Sequence, residues 1–177
     1  RTVPGVDVFG QGRGLVQVDA AFELSRRLAE SNAEQPRLDL VASFTDKPSR
    51  GVYLRAPDQT RRPFETFTWV KPAFPKATES RSKLAYEARF RLEPTAPWVR
   101  SAKSMFLSHG AEAFSGGGFD LQVDPTGLAT GVHWAEILGY EEGHEDLGPA
   151  FRVPITVIRP IRFEPGMPAI WRENIRL

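Results

Sequence analysis

The sequence predicts a mainly β chain, a β-sandwich preceded by one amphipathic α-helix, and three observations carry that prediction. Near the amino end, apolar residues recur at three- and four-residue spacing, the period of a helix with one buried stripe. Beyond Pro36, short runs that alternate apolar and polar residues follow one another at intervals of roughly ten residues. Fifteen glycines and fifteen prolines separate those runs with turn signals.

In chain order, the glycine-rich stretch Gly5 to Arg13 leads into a helix predicted over Leu15 to Ala29. Its stripe is Val18, Ala21, Phe22 and Leu28, and Arg26 and Arg27 fall in the last turns, where cations complement the helix dipole. Ser31-Asn32 and Pro36 end it. Strands are then predicted over Leu38–Phe44, Gly51–Arg55, Phe64–Val70, Leu84–Leu92, Ser104–Leu107, Ala113–Phe114, Phe119–Val123, His133–Tyr140 and Phe151–Ile158. The clearest alternation sets Leu84, Tyr86, Ala88, Phe90 and Leu92 against Glu87, Arg89 and Arg91. Gly116-Gly117-Gly118 is predicted as a hairpin turn, because glycine adopts positive φ at no steric cost. Glu164-Pro165-Gly166 makes another turn, and Ile170 to Leu177 reads as the start of a further module.

With 177 residues, 41% hydrophobic and 25% charged, the chain has the composition of a globular protein able to bury a real core. The apolar runs are far shorter than the roughly 20 residues that span a bilayer, so no membrane partner is expected. The absence of cysteine removes disulfides, thiolate metal sites and a cysteine nucleophile, and fits a reducing compartment. Because Arg1 rather than methionine comes first, the chain is read as a fragment or processed piece. Net charge is only +1, yet from Lys47 to Lys103 there are thirteen Lys or Arg against five Asp or Glu, and from Ala111 to Phe151 eight acidic residues and no basic one. Such a split reads as two solvated faces of one sandwich, or as complementary patches between subunits.

No stretch supplies a convincing catalytic constellation, so no catalytic, cofactor-binding or metal-binding residue is assigned and no cofactor is expected. Gly10-Gln11-Gly12-Arg13-Gly14 precedes a helix, but Leu15 stands where the dinucleotide fingerprint needs glycine, and no P-loop Lys-Ser/Thr pair follows. These glycines are expected to let the backbone approach a neighbouring sheet closely. His109, His133 and His144 form no close zinc pair. His144 belongs to an acidic solvated loop, Glu141-Glu142-Gly143-His144-Glu145-Asp146, and His133 to a strand surface or edge. Ser108-His109-Gly110 lacks the leading glycine of a nucleophile elbow, and neighbours on a strand point to opposite faces. Arg61, Arg62, Lys71 and Lys76 interleave with Phe64, Phe67, Trp69 and Phe74, a mixture that can bind single-stranded nucleic acid. Sandwich cores need the same aromatics, so no nucleic-acid partner is expected.

Two stretches carry a resemblance. Phe9-Gly10-Gln11-Gly12-Arg13-Gly14-Leu15-Val16-Gln17-Val18-Asp19-Ala20-Ala21-Phe22 is similar to the motif that closes the catalytic domain of subtilisin-like serine peptidases. Val123-Asp124-Pro125-Thr126-Gly127-Leu128, Gly131-Val132-His133 and Gly148-Pro149-Ala150-Phe151-Arg152-Val153-Pro154-Ile155-Thr156-Val157, together with Ala96-Pro97-Trp98-Val99, resemble the region after that domain in the tripeptidyl peptidase II family. The resemblance implies an immunoglobulin- or fibronectin-like sandwich. It divides the chain into a closing loop and helix of a subtilisin-like domain (1–35), the sandwich (36–160) and the start of the next module (161–177). It further implies a cytoplasmic, homo-oligomeric serine exopeptidase that releases tripeptides from free amino termini, with the catalytic residues upstream of Arg1. The partners so implied are other domains and subunits of the same peptidase, and peptide substrates handled upstream. The expected role is a non-catalytic structural or assembly segment; the rival is a stand-alone β-sandwich module that binds protein or carbohydrate.

Overall fold

A computed structural model describes residues 3–30, 37–44, 47–108 and 117–161. Two helices lie in the amino-terminal segment: one turn, α1 (Val8–Gln11), and the main helix, α2 (Val18–Glu30). Asp7 caps α1 by accepting a hydrogen bond from the Gly10 amide at 2.9 Å. Gln11 reaches back to the carbonyl oxygens of Val3 and Val6, closing the loop on itself. In α2, Arg26 pairs with Glu23 at 3.0 Å and Glu30 at 2.7 Å, the three- and four-residue neighbours of a helix surface.

Among the described residues ten strands follow: β1 (Arg37–Phe44), β2 (Lys47–Ser49), β3 (Val52–Leu54), β4 (Phe64–Ala73), β5 (Glu87–Pro94), β6 (Val99–Ser101), β7 (Ser104–Ser108), β8 (Gly118–Val123), β9 (Gly131–Glu141) and β10 (Phe151–Arg159). They form two sheets, β2-β1-β4-β8-β6 and β3-β10-β9-β5-β7. Among the described residues every pairing is antiparallel except β3 with β10. Short helices α3 (Pro57–Thr60) and α4 (Ser80–Leu84) bridge strands, and a 3₁₀ turn spans Glu145–Leu147. The expected mainly β sandwich with one amphipathic leading helix is the architecture found.

The core lies between the sheets. Val70, Val99, Phe119, Leu121 and Val123 come from the first; Ala88, Phe90, Leu92, Leu107, Ala135, Ile137, Phe151, Val153, Ile155 and Val157 from the second. Alternation on β5, β8 and β10 places every second residue inward, as two-residue periodicity requires. Phe151 sits at the centre, 5.3 Å from the Phe90 ring centroid and 6.4 Å from that of Phe119.

Three expectations are corrected. Leu84 does not begin the β5 face: it ends α4 and is 70% exposed, because Ser80 to Lys83 turn once as a helix before pairing starts at Glu87. Gly118 is not a turn residue but the first of β8, facing Phe67 so closely that an added Cβ would lie 2.3 Å from the ring. At Gly12 the expected close approach to a sheet is not found: nothing stands within 4 Å of a Cβ added there, and its φ of 59°, like the 81° of Gly14, is positive. The strand predicted at Ala113–Phe114 and the turn at Glu164-Pro165-Gly166 lie outside the described residues.

Candidate functional site

The residues with the strongest long-range polar connections stand on the outer face of the second sheet, where the amino-terminal segment meets β9 and β10. On β9, Ala135 and Ile137 point into the core, so Trp134 and Glu136 point outward. Yet Glu136 is only 5% exposed, because Arg13 lies across it. The Arg13 guanidinium donates to both carboxylate oxygens, Nη1 to Oε2 at 2.7 Å and Nη2 to Oε1. From the neighbouring strand, Arg152 Nη1 donates to Oε2 at 3.3 Å. The Glu136 backbone is held as well: its amide donates to Thr95 Oγ1 at 2.8 Å, and its carbonyl oxygen accepts from the Thr95 amide at 2.9 Å.

Two further contacts tie the segment to the sandwich, one on β9 and one on the turn before β10. Phe9 meets Trp134 edge to face, with centroids 5.8 Å apart. Arg27 on α2 pairs with Asp146 at 3.1 Å. Gly12 and Gly14 are what allow Arg13 to reach Glu136, since the chain must turn through positive φ on either side of it.

Burial by itself would raise the Glu136 pKa. The hydrogen bonds and positive charges of Arg13 and Arg152 outweigh burial and hold the carboxyl below the ordinary glutamate range. A folded-state pKa below the unfolded value gives stability that is present above about pH 4.3 and lost as pH falls through the folded value. The melting temperature of the chain should therefore fall between about pH 5 and 3 more steeply in the wild type than in Arg13→Ala. Parallel curves would show that the clasp contributes nothing.

The stripe of α2 is apolar. Val18 is 72% exposed and Phe22 67%, so these members of the helical stripe read from the sequence are not buried by the sandwich.

The remaining motifs fall elsewhere. His133 engages the Ala129 carbonyl oxygen at 2.8 Å through Nε2, on the strand surface as expected. His144 is exposed in the acidic turn, and among the described residues no group of three or more His, Cys, Asp or Glu side chains is placed to hold a metal ion. His109 lies outside the described residues. Phe67 and Trp69 pack on each other at 4.6 Å, half-buried on the outer face of the first sheet, while Thr68 and Val70 point inward. The Asp124-Pro125-Thr126-Gly127-Leu128 motif is a turn: Asp124 accepts from the amide and hydroxyl of Thr126, and Arg159 donates to the carbonyl oxygens of Pro125, Thr126 and Leu128. The Arg13–Glu136–Arg152 cluster was not visible in the sequence, because its members are 123 and 16 residues apart.

Residues 40–158 match the family described as tripeptidyl-peptidase II, first Ig-like domain. Among curated relatives, tripeptidyl-peptidase 2 of Drosophila melanogaster is 32% identical over 158 residues, covering 88% of this chain and 10% of that protein. Tripeptidyl-peptidase 2 of Caenorhabditis elegans is 29% identical over 163 residues, covering 89% and 11%. A crystal structure of tripeptidyl peptidase 2 superposes with a TM-score of 0.77 at 29% identity, covering 91% of this chain and 13% of that one. The chain thus spans about a tenth of the length of the relatives it matches.

Proposed function

The chain belongs to the family of the first Ig-like domain of tripeptidyl-peptidase II, and from that premise we propose that it is a non-catalytic structural and assembly segment of a large serine exopeptidase that releases amino-terminal tripeptides. In this reading residues 1–35 close a subtilisin-like domain, 36–160 form the Ig-like sandwich, and 161–177 begin the next module. The parent is cytoplasmic and homo-oligomeric, and its nucleophile and base lie upstream of Arg1.

The exposed apolar stripe of α2 carries the proposal. Phe22, two-thirds exposed here, is a poor surface residue but a good anchor, since burying such a side chain is worth about 1.5–3 kcal/mol. The Arg13–Glu136–Arg152 clasp then gives the stripe a fixed bearing: a domain seated on α2 is held at a set angle to the sandwich. A stand-alone binding module has no use for an amphipathic helix whose apolar side faces solvent.

The test is Phe22→Asp in the complete enzyme. Both melting temperature and tripeptidyl peptidase activity should drop, while the sandwich keeps its fold. An enzyme as stable and active as the wild type would remove the docking role. Conversely, tripeptidyl hydrolysis by this chain alone, abolished by Ser108→Ala, would overturn the non-catalytic assignment.

A further inference from the structure

The chain changes sheets between β6 and β7, and that crossing leaves a gap in the first sheet. β6 pairs with β8 only from Val99↔Val123 to Ser101↔Leu121; at Ala102 and Lys103 the chain departs, and β7 joins the other sheet beside β5. β8 continues through Asp120 and Phe119 to Gly118. Among the described residues, no strand pairs with that stretch on the β6 side.

The backbone direction follows from two hydrogen bonds. The Asp124 amide donates to the Trp98 carbonyl oxygen, on the β6 side, and the Gly117 carbonyl oxygen accepts from the Val70 amide, on the β4 side. Backbone groups alternate along a strand, so those of Gln122, Asp120 and Gly118 all face the β6 side. At Asp120 and Gly118 they face the gap. A row of alternating donors and acceptors is matched by another extended backbone.

A groove of about 570 Å³ opens at this place, lined by Glu65, Phe67, Arg100, Ser101, Asp120 and Gln122 among others. Its size is that of a site for a small ligand rather than a folded partner. The open stretch of β8 is three residues, about 10 Å at a rise of about 3.4 Å per residue. On the outer face, Glu65 accepts from Gln122 at 2.9 Å, while among the described residues no side chain pairs with the exposed Asp120 carboxylate. Phe67 is the cross-strand neighbour of Asp120. A carboxylate beside an aromatic ring suits a cation, and Arg100, opposite Gln122, disfavours a second cation farther along.

We propose that this notch binds a short extended peptide, added as a strand along the β8 edge, with a basic side chain of the peptide against Asp120 and Phe67. The site is separate from the α2 face and the clasp, and stands whether or not the assembly role does.

The test uses the 177-residue chain, followed by amide chemical shifts, with acetyl-Val-Lys-Val-amide as the probe. At roughly millimolar peptide the Gly118 and Asp120 amides should shift. The Glu counterpart should bind about threefold more weakly, and Asp120→Lys, an exposed substitution, should reverse that order. The Lys peptide methylated on the backbone nitrogen that faces β8 should not bind. Equal binding of Lys and Glu peptides, undiminished binding of the methylated one, or the same shifts on concentrating the chain without peptide would overturn the proposal; the last would mean that a second copy covers the edge.

Discussion

Replacing Gly139 by alanine is expected to destabilise the sandwich by about 2 kcal/mol, and by valine about 3 kcal/mol. Gly139 on β9 pairs directly with Phe151 on β10, and the phenylalanine ring folds over it: a Cβ at Gly139 would lie 2.2 Å from Cζ and 2.3 Å from Cε1. The ring cannot swing aside, because it is 5% exposed and lies against both Phe90 and Phe119. Nor can the strand retreat, since Gly139 is also paired with Leu92 on β5. For a chain of this size the valine variant should lose roughly 6–12 °C of melting temperature. Combining Gly139→Ala with Phe151→Leu should cost less than the sum of the single changes, since the smaller side chain makes room. Strict additivity would show that the ring is not what excludes the Cβ.

Two phenylalanines of opposite environment give the second large effect. Phe90→Ala should cost about 3–5 kcal/mol in this chain, because Phe90 is completely buried and loses its contact with Phe151. Phe22→Ala should change the stability of this chain by less than about 0.5 kcal/mol, the ordinary range for an exposed site. In the complete enzyme the same Phe22→Ala change should cost about 1.5–3 kcal/mol. Thermal melts of both variants in both contexts make the check. A Phe22→Ala cost that is equally small in the two would mean that nothing covers the helix, and the assembly role would fall with it.

What was legible in the sequence was legible for local reasons. β5, β8 and β10 alternate because one side of each strand meets the other sheet, and that period survives in the order of residues. α2 was found within a few residues of its bounds for the same reason, and its stripe is intact. Some short elements escaped, although β3, equally short, was read from Val52 and Leu54. β6 has three residues, too few to show a period, and α4 is one charged turn whose final Leu84 mimics the start of the next strand. Nor was the clasp legible from the charge pattern: Glu136, 5% exposed, takes its arginines from positions 13 and 152, outside the basic stretch 47–103.

The amino-acid order alone determined that this protein is a sandwich with a leading amphipathic helix, since periods of two and near four record which side of each element seeks an apolar neighbour. Only the tertiary structure decided that the helix keeps Val18 and Phe22 outward, that Arg13 closes over Glu136, and that among the described residues no strand pairs with the Gly118 end of β8 on the β6 side. Each of these depends on pairings between residues far apart along the chain. Local sequence specifies the direction in which a side chain points, but not what the fold brings to meet it.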